Sequence, residues 1–167
     1  MAVSASPSPP VRLALPDPAA TADLARRLAR IARPGDVIGL GGALGAGKTL
    51  FARAFINRIA ELSGVAAVEV PSPTFTLMQE YVFPGATVSH FDLYRIERPE
   101  DTWELGIEDA FAAGISLIEL PERLGPLLPH LRLDVVLSQG AAPEARVAEI
   151  AGTGDWPARL RGVLPDE

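Results

Sequence analysis

The chain has 167 residues, no cysteine and a formal net charge of −6. This length is near that of one folded domain, and the lack of cysteine excludes disulfides, thiolate catalysis and cysteine zinc sites. Only two histidines are present, His90 and His130, so a multi-histidine metal site is not expected. The acidic balance argues against tight electrostatic binding of nucleic acid by this chain alone.

Residues 1–10 are small, polar and proline-rich, and they lack the basic start and apolar centre of a signal peptide. We therefore predict a disordered tail at 1–10 and a single domain over 11–167. No apolar run approaches the ~20 residues needed to span a bilayer. We expect a cytoplasmic protein with no membrane association.

Hydrophobic periodicity and turn residues predict the elements in chain order. The predicted helices cover residues 17–31, the segment from the end of the loop at 42–49 to residue 62, residues 99–113 in two pieces broken at Gly106, and residues 155–160. The predicted strands cover residues 37–40, 66–70, 75–83, 87–94, 115–118, 131–137 and 145–150. The last two strands flank a Gln-Gly-Ala-Ala-Pro loop and are typical of an antiparallel hairpin.

Strands and helices interleave along the chain, a pattern that indicates the α/β class. The hairpin makes the sheet mixed instead of purely parallel. We expect a mixed β-sheet flanked by helices in three layers, of the kind found in P-loop NTPases.

The segment from Gly42 to Thr49 fits the pattern G-x-x-x-x-G-K-[ST], and it lies between a predicted strand and a predicted helix. Glycines let successive backbone N–H groups face one anion, and the helix N-terminus adds positive potential. The predicted nucleotide-binding residues are Gly42, Ala43, Leu44, Gly45, Ala46, Gly47, Lys48 and Thr49. Lys48 is expected to reach the outer phosphates of a nucleotide, and the Thr49 hydroxyl to bind Mg²⁺.

Lys48 is the only lysine of the chain, and the other fourteen of its fifteen Lys and Arg residues are arginines. A compact ammonium on a flexible stem fits a narrow phosphate loop better than a planar guanidinium does. Guanine-specific GTPases typically use an Asn-Lys-x-Asp element, which this chain cannot form without a second lysine. The sequence thus favours ATP, or weak base selectivity.

Two acids follow predicted strands, Asp92 and Glu119, and such positions hold Mg²⁺ or orient water in P-loop proteins. Glu119 is the better metal candidate because the strand before it is more apolar. The hydroxyl-bearing loop around Thr74 is either a switch element near the γ-phosphate or only a turn. Arg95 and Arg123 are either phosphate-side arginines or solvated side chains, and His90 is read as structural.

The chain resembles the TsaE (YjeE) family of P-loop ATPases, which act in threonylcarbamoylation of adenosine beside the tRNA anticodon. The resemblance covers roughly residues 15–150. It rests on four segments: Leu44-Gly45-Ala46-Gly47-Lys48-Thr49, Ser72-Pro73-Thr74-Phe75-Thr76-Leu77, His90-Phe91-Asp92-Leu93-Tyr94-Arg95 and Ile118-Glu119 before Pro121-Glu122.

The resemblance implies roles for named residues. Lys48 and the loop backbone would hold ATP phosphates, and Thr49 with Glu119 would bind Mg²⁺. Asp92 would orient water or metal, and Thr74 would belong to a switch-like loop. It also implies that the protein acts with TsaB and TsaD, where TsaD performs the transfer to tRNA and ATP hydrolysis resets the complex.

Two positions depart from the family pattern, which often has Asp at position 43 and usually Trp at position 120. This chain has Ala43 and Leu120 there, so a polar contact at the loop and an aromatic surface are lost. Two alternatives stay open from the phosphate loop alone. One is a small-molecule kinase, although no arginine-rich lid segment is apparent, and the other is a nucleotide-gated interaction module.

Overall fold

The computed structural model describes residues 9–165, so residues 1–8 of the predicted tail lie outside the described range. The strands are β1 Val11–Leu15, β2 Val37–Gly41, β3 Met78–Phe83, β4 Ala86–Asp92, β5 Ile115–Glu119, β6 Leu133–Gln139 and β7 Arg146–Gly152. The α-helices are α1 Pro18–Ile31, α2 Lys48–Leu62, α3 Ile107–Ala113 and α4 Trp156–Leu160. Two 3₁₀ segments cover Pro99–Leu105 and Pro121–Leu127.

The described strands form one seven-stranded sheet in the order β1-β7-β6-β2-β5-β4-β3. The central strands are parallel, because β2 pairs with both β5 and β6, and β4 pairs with β5. The flanking pairs β1–β7, β6–β7 and β3–β4 are antiparallel. This arrangement confirms the predicted mixed sheet and the predicted hairpin of the last two strands.

Residues that alternate along the central strands enter two separate cores, one on each face of the sheet. Leu40 and Leu117 join a large core with the buried sides of α1 and α2. Phe91 and Ile118 join a smaller core with α3 and the 3₁₀ segments. Because successive strand residues point to opposite faces, this division produces the predicted three-layer architecture.

The start of α1 follows its sequence signals closely. The Asp17 side chain accepts a hydrogen bond of 2.8 Å from the Ala20 N–H, and Pro18 occupies the first helical turn. Both features satisfy or remove N–H groups that a helix start leaves unpaired. Leu24 and Leu28 are buried against the sheet, so the predicted apolar stripe is the packed face.

Arg159 fastens α4 to the rest of the molecule. Its guanidinium donates to both carboxylate oxygens of Asp36 and to the Ile31 carbonyl, and it lies 3.8 Å from the Trp156 ring centroid. Burial alone would lower the pKa of Arg159, but its hydrogen bonds to Asp36 and the charge of that residue raise it.

The predicted strand at residues 66–70 is wrong, because this segment is irregular. The segment bonds to side chains of α2 and not to a neighbouring strand. The Val68 N–H donates to Asn57 Oδ1, and Arg53 donates to the Val70 carbonyl. Side chains of α2 therefore take backbone groups that a sheet ladder would need. The strand predicted from residue 75 begins only at Met78.

Two elements lie where no strand or helix is predicted, β1 and the 3₁₀ segment Pro121–Leu127. β1 is short and pairs on one side only, with β7, whose paired residues lie 131–139 positions later in the chain. Its pairing partner is thus distant in sequence, and five residues carry little periodicity of their own. Among residues 9–165, no helix is both long and apolar enough to cross a bilayer.

The parallel strands bring their carboxyl ends to one edge of the sheet. Glu119 at the end of β5 is in register with Leu40 on β2 and with Asp92 at the end of β4. The loop after β2 starts at Gly42, two residues beyond Leu40. The topology consequently gathers the glycine-rich loop and both predicted carboxylates at the position where open α/β sheets bind ligands.

Candidate phosphate-binding site

The glycine-rich loop joins β2 directly to the first residue of α2. Gly42, Gly45 and Gly47 have φ angles of 133°, 80° and 106°, a region that favours glycine. A Cβ atom on Gly42 would lie 2.4 Å from the carbonyl oxygen of Leu137 on β6. Glycine is therefore required at position 42 by its positive φ angle and by the close approach of the loop backbone to β6.

The N-terminus of α2 has no side chain to satisfy its exposed N–H groups. Gly47 is the N-cap, makes no side-chain capping bond, and no acidic residue lies in the first turn. Such a helix end presents free N–H donors and the positive end of the helix dipole. An exposed helix end of this kind is the feature on which the predicted anion binding depends.

Lys48 lies across the loop. Its ammonium donates to the Gly42 carbonyl at 2.5 Å and to the Ala43 carbonyl at 3.3 Å. An ammonium has three donors on one atom. Lys48 can therefore bond to both carbonyls at once, and Thr49 is the second residue of α2.

The remaining loop residues differ in accessibility. Ala43 and Gly45 are exposed, Leu44 is fully exposed, and Ala46 is buried. The Ala46 N–H donates to the Ala43 carbonyl at 3.0 Å, so these residues form a tight turn at the tip of the loop.

Arg146, the first residue of β7, holds the outer side of the loop. Its Nη2 donates to the Gly45 carbonyl and its Nε to the Ala46 carbonyl, both at 3.2 Å. Sequence reasoning did not select Arg146, since nothing in its neighbourhood resembles a motif. Only the register of β7 beside β6 brings it to the loop.

Asp92 and Thr74 are brought together at the end of β4. The Thr74 hydroxyl donates to Asp92 Oδ2 at 3.1 Å and shares a hydrogen bond of 2.7 Å with the Ser72 hydroxyl. Asp92 Oδ1 accepts the Tyr94 N–H at 3.0 Å, and the carboxylate is largely buried. The hydroxyl-bearing loop is therefore tied to a strand-end carboxylate.

Glu119 is buried at the end of β5 and contacts His90. Its Oε2 lies 2.8 Å from His90 Nε2, and the His90 side chain is fully buried. This contact fits the structural role read for His90 from the sequence. The next residue, Leu120, has a φ of 58°, so the chain turns sharply after the carboxylate.

The two candidate arginines have different surroundings. The Arg95 guanidinium lies 4.8 Å from the ring centroid of Phe75, which is 79% exposed. Arg123 donates to the Ile96 carbonyl at 3.0 Å. In these positions both side chains contact protein groups, and neither contacts the glycine-rich loop.

The oxygen donors at this edge suit Mg²⁺ better than a transition metal. They are the Thr49 hydroxyl and the carboxylates of Asp92 and Glu119. Within residues 9–165, no group of three His, Cys, Asp or Glu side chains could hold a metal by itself. Mg²⁺ is commonly bound through one or two protein oxygens together with substrate phosphates, so the donor set fits that mode.

Comparison with known proteins agrees with this geometry. The family model described as "Threonylcarbamoyl adenosine biosynthesis protein TsaE" matches residues 15–147. The tRNA threonylcarbamoyladenosine biosynthesis protein TsaE of Rickettsia bellii is 38% identical over 117 residues, which cover 70% of this chain and 78% of that protein. The protein of the same name from Bacillus subtilis is 36% identical over 132 residues, covering 78% and 79%.

A solved structure extends the similarity over nearly the whole fold. The crystal structure of Bacillus subtilis YdiB has a TM-score of 0.75 and 28% identity, covering 96% of this chain and 97% of that one. The three-layer mixed sheet is thus a P-loop NTPase-like fold. The chain belongs to the TsaE family, which takes part in tRNA threonylcarbamoyladenosine biosynthesis.

Proposed function

We propose that this chain binds and hydrolyses ATP with Mg²⁺ during formation of N6-threonylcarbamoyladenosine in tRNA next to the anticodon. The observation that carries the proposal is the single sheet edge at which an uncapped helix N-terminus, one lysine and two buried carboxylates meet. Cations and free N–H donors suit a polyphosphate, and carboxylates suit its metal ion.

Each residue has a distinct part in this proposal. The N–H groups of residues 42–49 and the Lys48 ammonium bind the phosphates, and Lys48 exchanges its bonds to loop carbonyls for phosphate oxygens. Thr49 and Glu119 hold Mg²⁺, which supplies charge neutralisation of the phosphates when bound. Asp92 orients the attacking water or the metal.

Thr74 gives the site a means of sensing its ligand. Its hydroxyl already bridges Ser72 and Asp92, so a change in the contacts of Asp92 alters the anchor of this loop. Loops held by few bonds near a γ-phosphate are the elements that respond to hydrolysis in P-loop switches. We assign Thr74 to such a switch-like loop.

The proposed partners are TsaB and TsaD, with tRNA contacted through the complex. In this scheme TsaD transfers the threonylcarbamoyl group, and hydrolysis by this chain resets the complex between turnovers. Slow hydrolysis without partners is expected. The net charge of −6 is consistent with indirect contact to tRNA.

The test is steady-state ATP hydrolysis by the protein alone and with purified TsaB and TsaD from the same organism. We expect stimulation by the two partners together, and we expect Lys48→Ala to abolish it by removing the ammonium that binds the outer phosphates. Arg58→Ala is the matched control. It also removes a cation from α2, but Arg58 pairs with Glu61 and not with the loop.

Three outcomes separate the possibilities. Partner stimulation lost only in Lys48→Ala supports the proposal. Mg-ATP binding without any stimulation would remove this chain from the reset step and favour a nucleotide-gated interaction module. ATP consumption that requires a small-molecule acceptor would indicate a kinase instead.

A further inference from the structure

Arg146 makes more contacts to the phosphate-binding loop than its position suggests. It lies on β7, a strand that contributes none of the motif residues, yet two of its nitrogens donate to the carbonyls of Gly45 and Ala46. These contacts join residues 100 and 101 positions apart. Its third nitrogen, Nη1, donates at 2.8 Å to the carbonyls of Pro143 and Ala145.

The geometry of the peptide bond makes these contacts informative. In a trans peptide the C=O of one residue and the N–H of the next point in opposite directions. Because Arg146 holds the Ala46 carbonyl on the outer side of the loop, the Gly47 N–H is directed to the inner side. That N–H is the last donor before α2 begins, at the place where the anion site is expected.

The same arginine also holds the connection between β6 and β7, residues 140–145. Gln139 donates from its amide nitrogen to the carbonyls of Ala142, Pro143 and Ala145 at 2.8–3.3 Å. Arg146 shares two of those carbonyls. The backbone of this connection is therefore fixed from both of its ends, which gives Arg146 a rigid base from which to hold the phosphate loop.

We propose that Arg146 is a positioning residue for nucleotide phosphates. Its guanidinium fixes the Ala46–Gly47 peptide unit so that the Gly47 N–H faces the anion before it arrives, while its bond to the Gly45 carbonyl holds the turn at the tip of the loop. The inference rests on the proposed nucleotide binding. It adds that this binding depends on Arg146, a residue that lies outside the motif. A planar guanidinium suits this role, because its fixed fork of donors reaches four carbonyls at once.

The test measures Mg-ATP and Mg-ADP affinity by calorimetry for the full chain and three variants. Arg146→Gln removes the fork, Arg146→Lys keeps the charge but not the fork, and Arg12→Gln removes an exposed arginine from the neighbouring strand β1. We expect both Arg146 variants to bind on the order of 10–100-fold more weakly, the range for losing a residue that orients ligands. Arg12→Gln is expected to bind like wild type.

A second readout separates positioning from a general loss of stability. Amide hydrogen exchange without nucleotide is expected to accelerate at residues 45–48 in both Arg146 variants, at an unchanged urea midpoint. If Arg146→Gln does not fold, Arg146→Lys carries the same comparison. Loop N–H groups that exchange as in wild type would overturn the inference.

The remaining outcomes are equally decisive. Full affinity in Arg146→Lys would overturn the positioning role and assign Arg146 to simple charge attraction. Full affinity in Arg146→Gln would overturn the inference while leaving the proposed function intact. Absence of nucleotide binding by the wild-type chain would overturn the proposed function, and the inference with it.

Discussion

The imidazole of His90 and the carboxylate of Glu119 meet at 2.8 Å with side chains that are 0% and 5% exposed. His90 is in register with Leu117, two residues before Glu119, so both side chains lie on one face of the sheet. A buried carboxylate is costly without a hydrogen-bond partner. His90 thereby fixes the orientation of a carboxylate that we propose binds Mg²⁺.

Replacing His90 by leucine removes this partner and leaves the Glu119 carboxylate unsatisfied. We expect His90→Leu to lower the free energy of unfolding by about 1–3 kcal/mol, the cost of an unmet buried hydrogen bond. Urea denaturation at neutral pH measures the change. His130→Leu is the control because His130 is exposed, and equal losses in both variants would contradict the prediction.

Glu119→Gln separates the charge of this carboxylate from its hydrogen bond. Glutamine has nearly the same shape and can still bond His90, so the urea midpoint is expected to change little. Mg²⁺ prefers anionic oxygen ligands, so ATP binding should need a higher Mg²⁺ concentration. Glu122→Gln, at an exposed neighbouring position, is the control, and an unaltered Mg²⁺ titration would remove Glu119 from the site.

Gly42→Ala tests the close approach between the loop and β6. The new Cβ would lie 2.4 Å from the Leu137 carbonyl, so the loop must move and nucleotide affinity must fall. Gly35→Ala has a positive φ of 94° but no atom within 4 Å, so it carries only backbone strain of about 1–2 kcal/mol. We expect Gly42→Ala to be the more destabilised in urea. Equal stability of the two would show that the loop tolerates the methyl group.

Thr74→Val keeps the size of the side chain and removes the hydroxyl that joins Ser72 to Asp92. We expect partner-stimulated ATP hydrolysis to fall on the order of tenfold to a hundredfold through misplacement of Asp92. Mg-ATP affinity should change far less. Thr76→Val is the control, since Thr76 contacts Gln79 instead. A variant that hydrolyses ATP at the wild-type rate would exclude Thr74 from the switch.

Tyr81 gives a prediction for alkaline pH. Burial raises the pKa of Tyr81 above its ordinary value of 10.0, so the folded state holds the phenolic proton more tightly than the unfolded state. This contribution to stability is present below about pH 10 and is lost as the pH rises through the folded-state pKa.

Tyr81→Phe should therefore lose stability less steeply than wild type above pH 10. At pH 7 its free energy of unfolding should be unchanged or higher, because the Tyr81 hydroxyl is buried with no partner among residues 9–165. Urea midpoints across pH 7–11 measure both effects, with the exposed Tyr94→Phe as control. A steeper alkaline loss in Tyr81→Phe would contradict the prediction.

Local signals explain why much of the fold is predictable. The Asp17 cap, the apolar stripe of α1 and the break at Gly106 each depend on neighbouring residues, and the structure has all three. The prediction of a strand at residues 66–70 is wrong because backbone groups of this segment bond to Asn57 and Arg53. No local sequence pattern predicts those contacts.

The sequence by itself determined the glycine-rich loop, its lysine and the two strand-end carboxylates, because these depend on residue types at short spacing. Only the tertiary structure decided that Thr74 bonds Asp92, that His90 bonds Glu119, and that Arg146 holds the loop from a strand 100 residues away. Such contacts depend on strand order and register. Those are set by how the whole sheet pairs and packs, and no short segment encodes them.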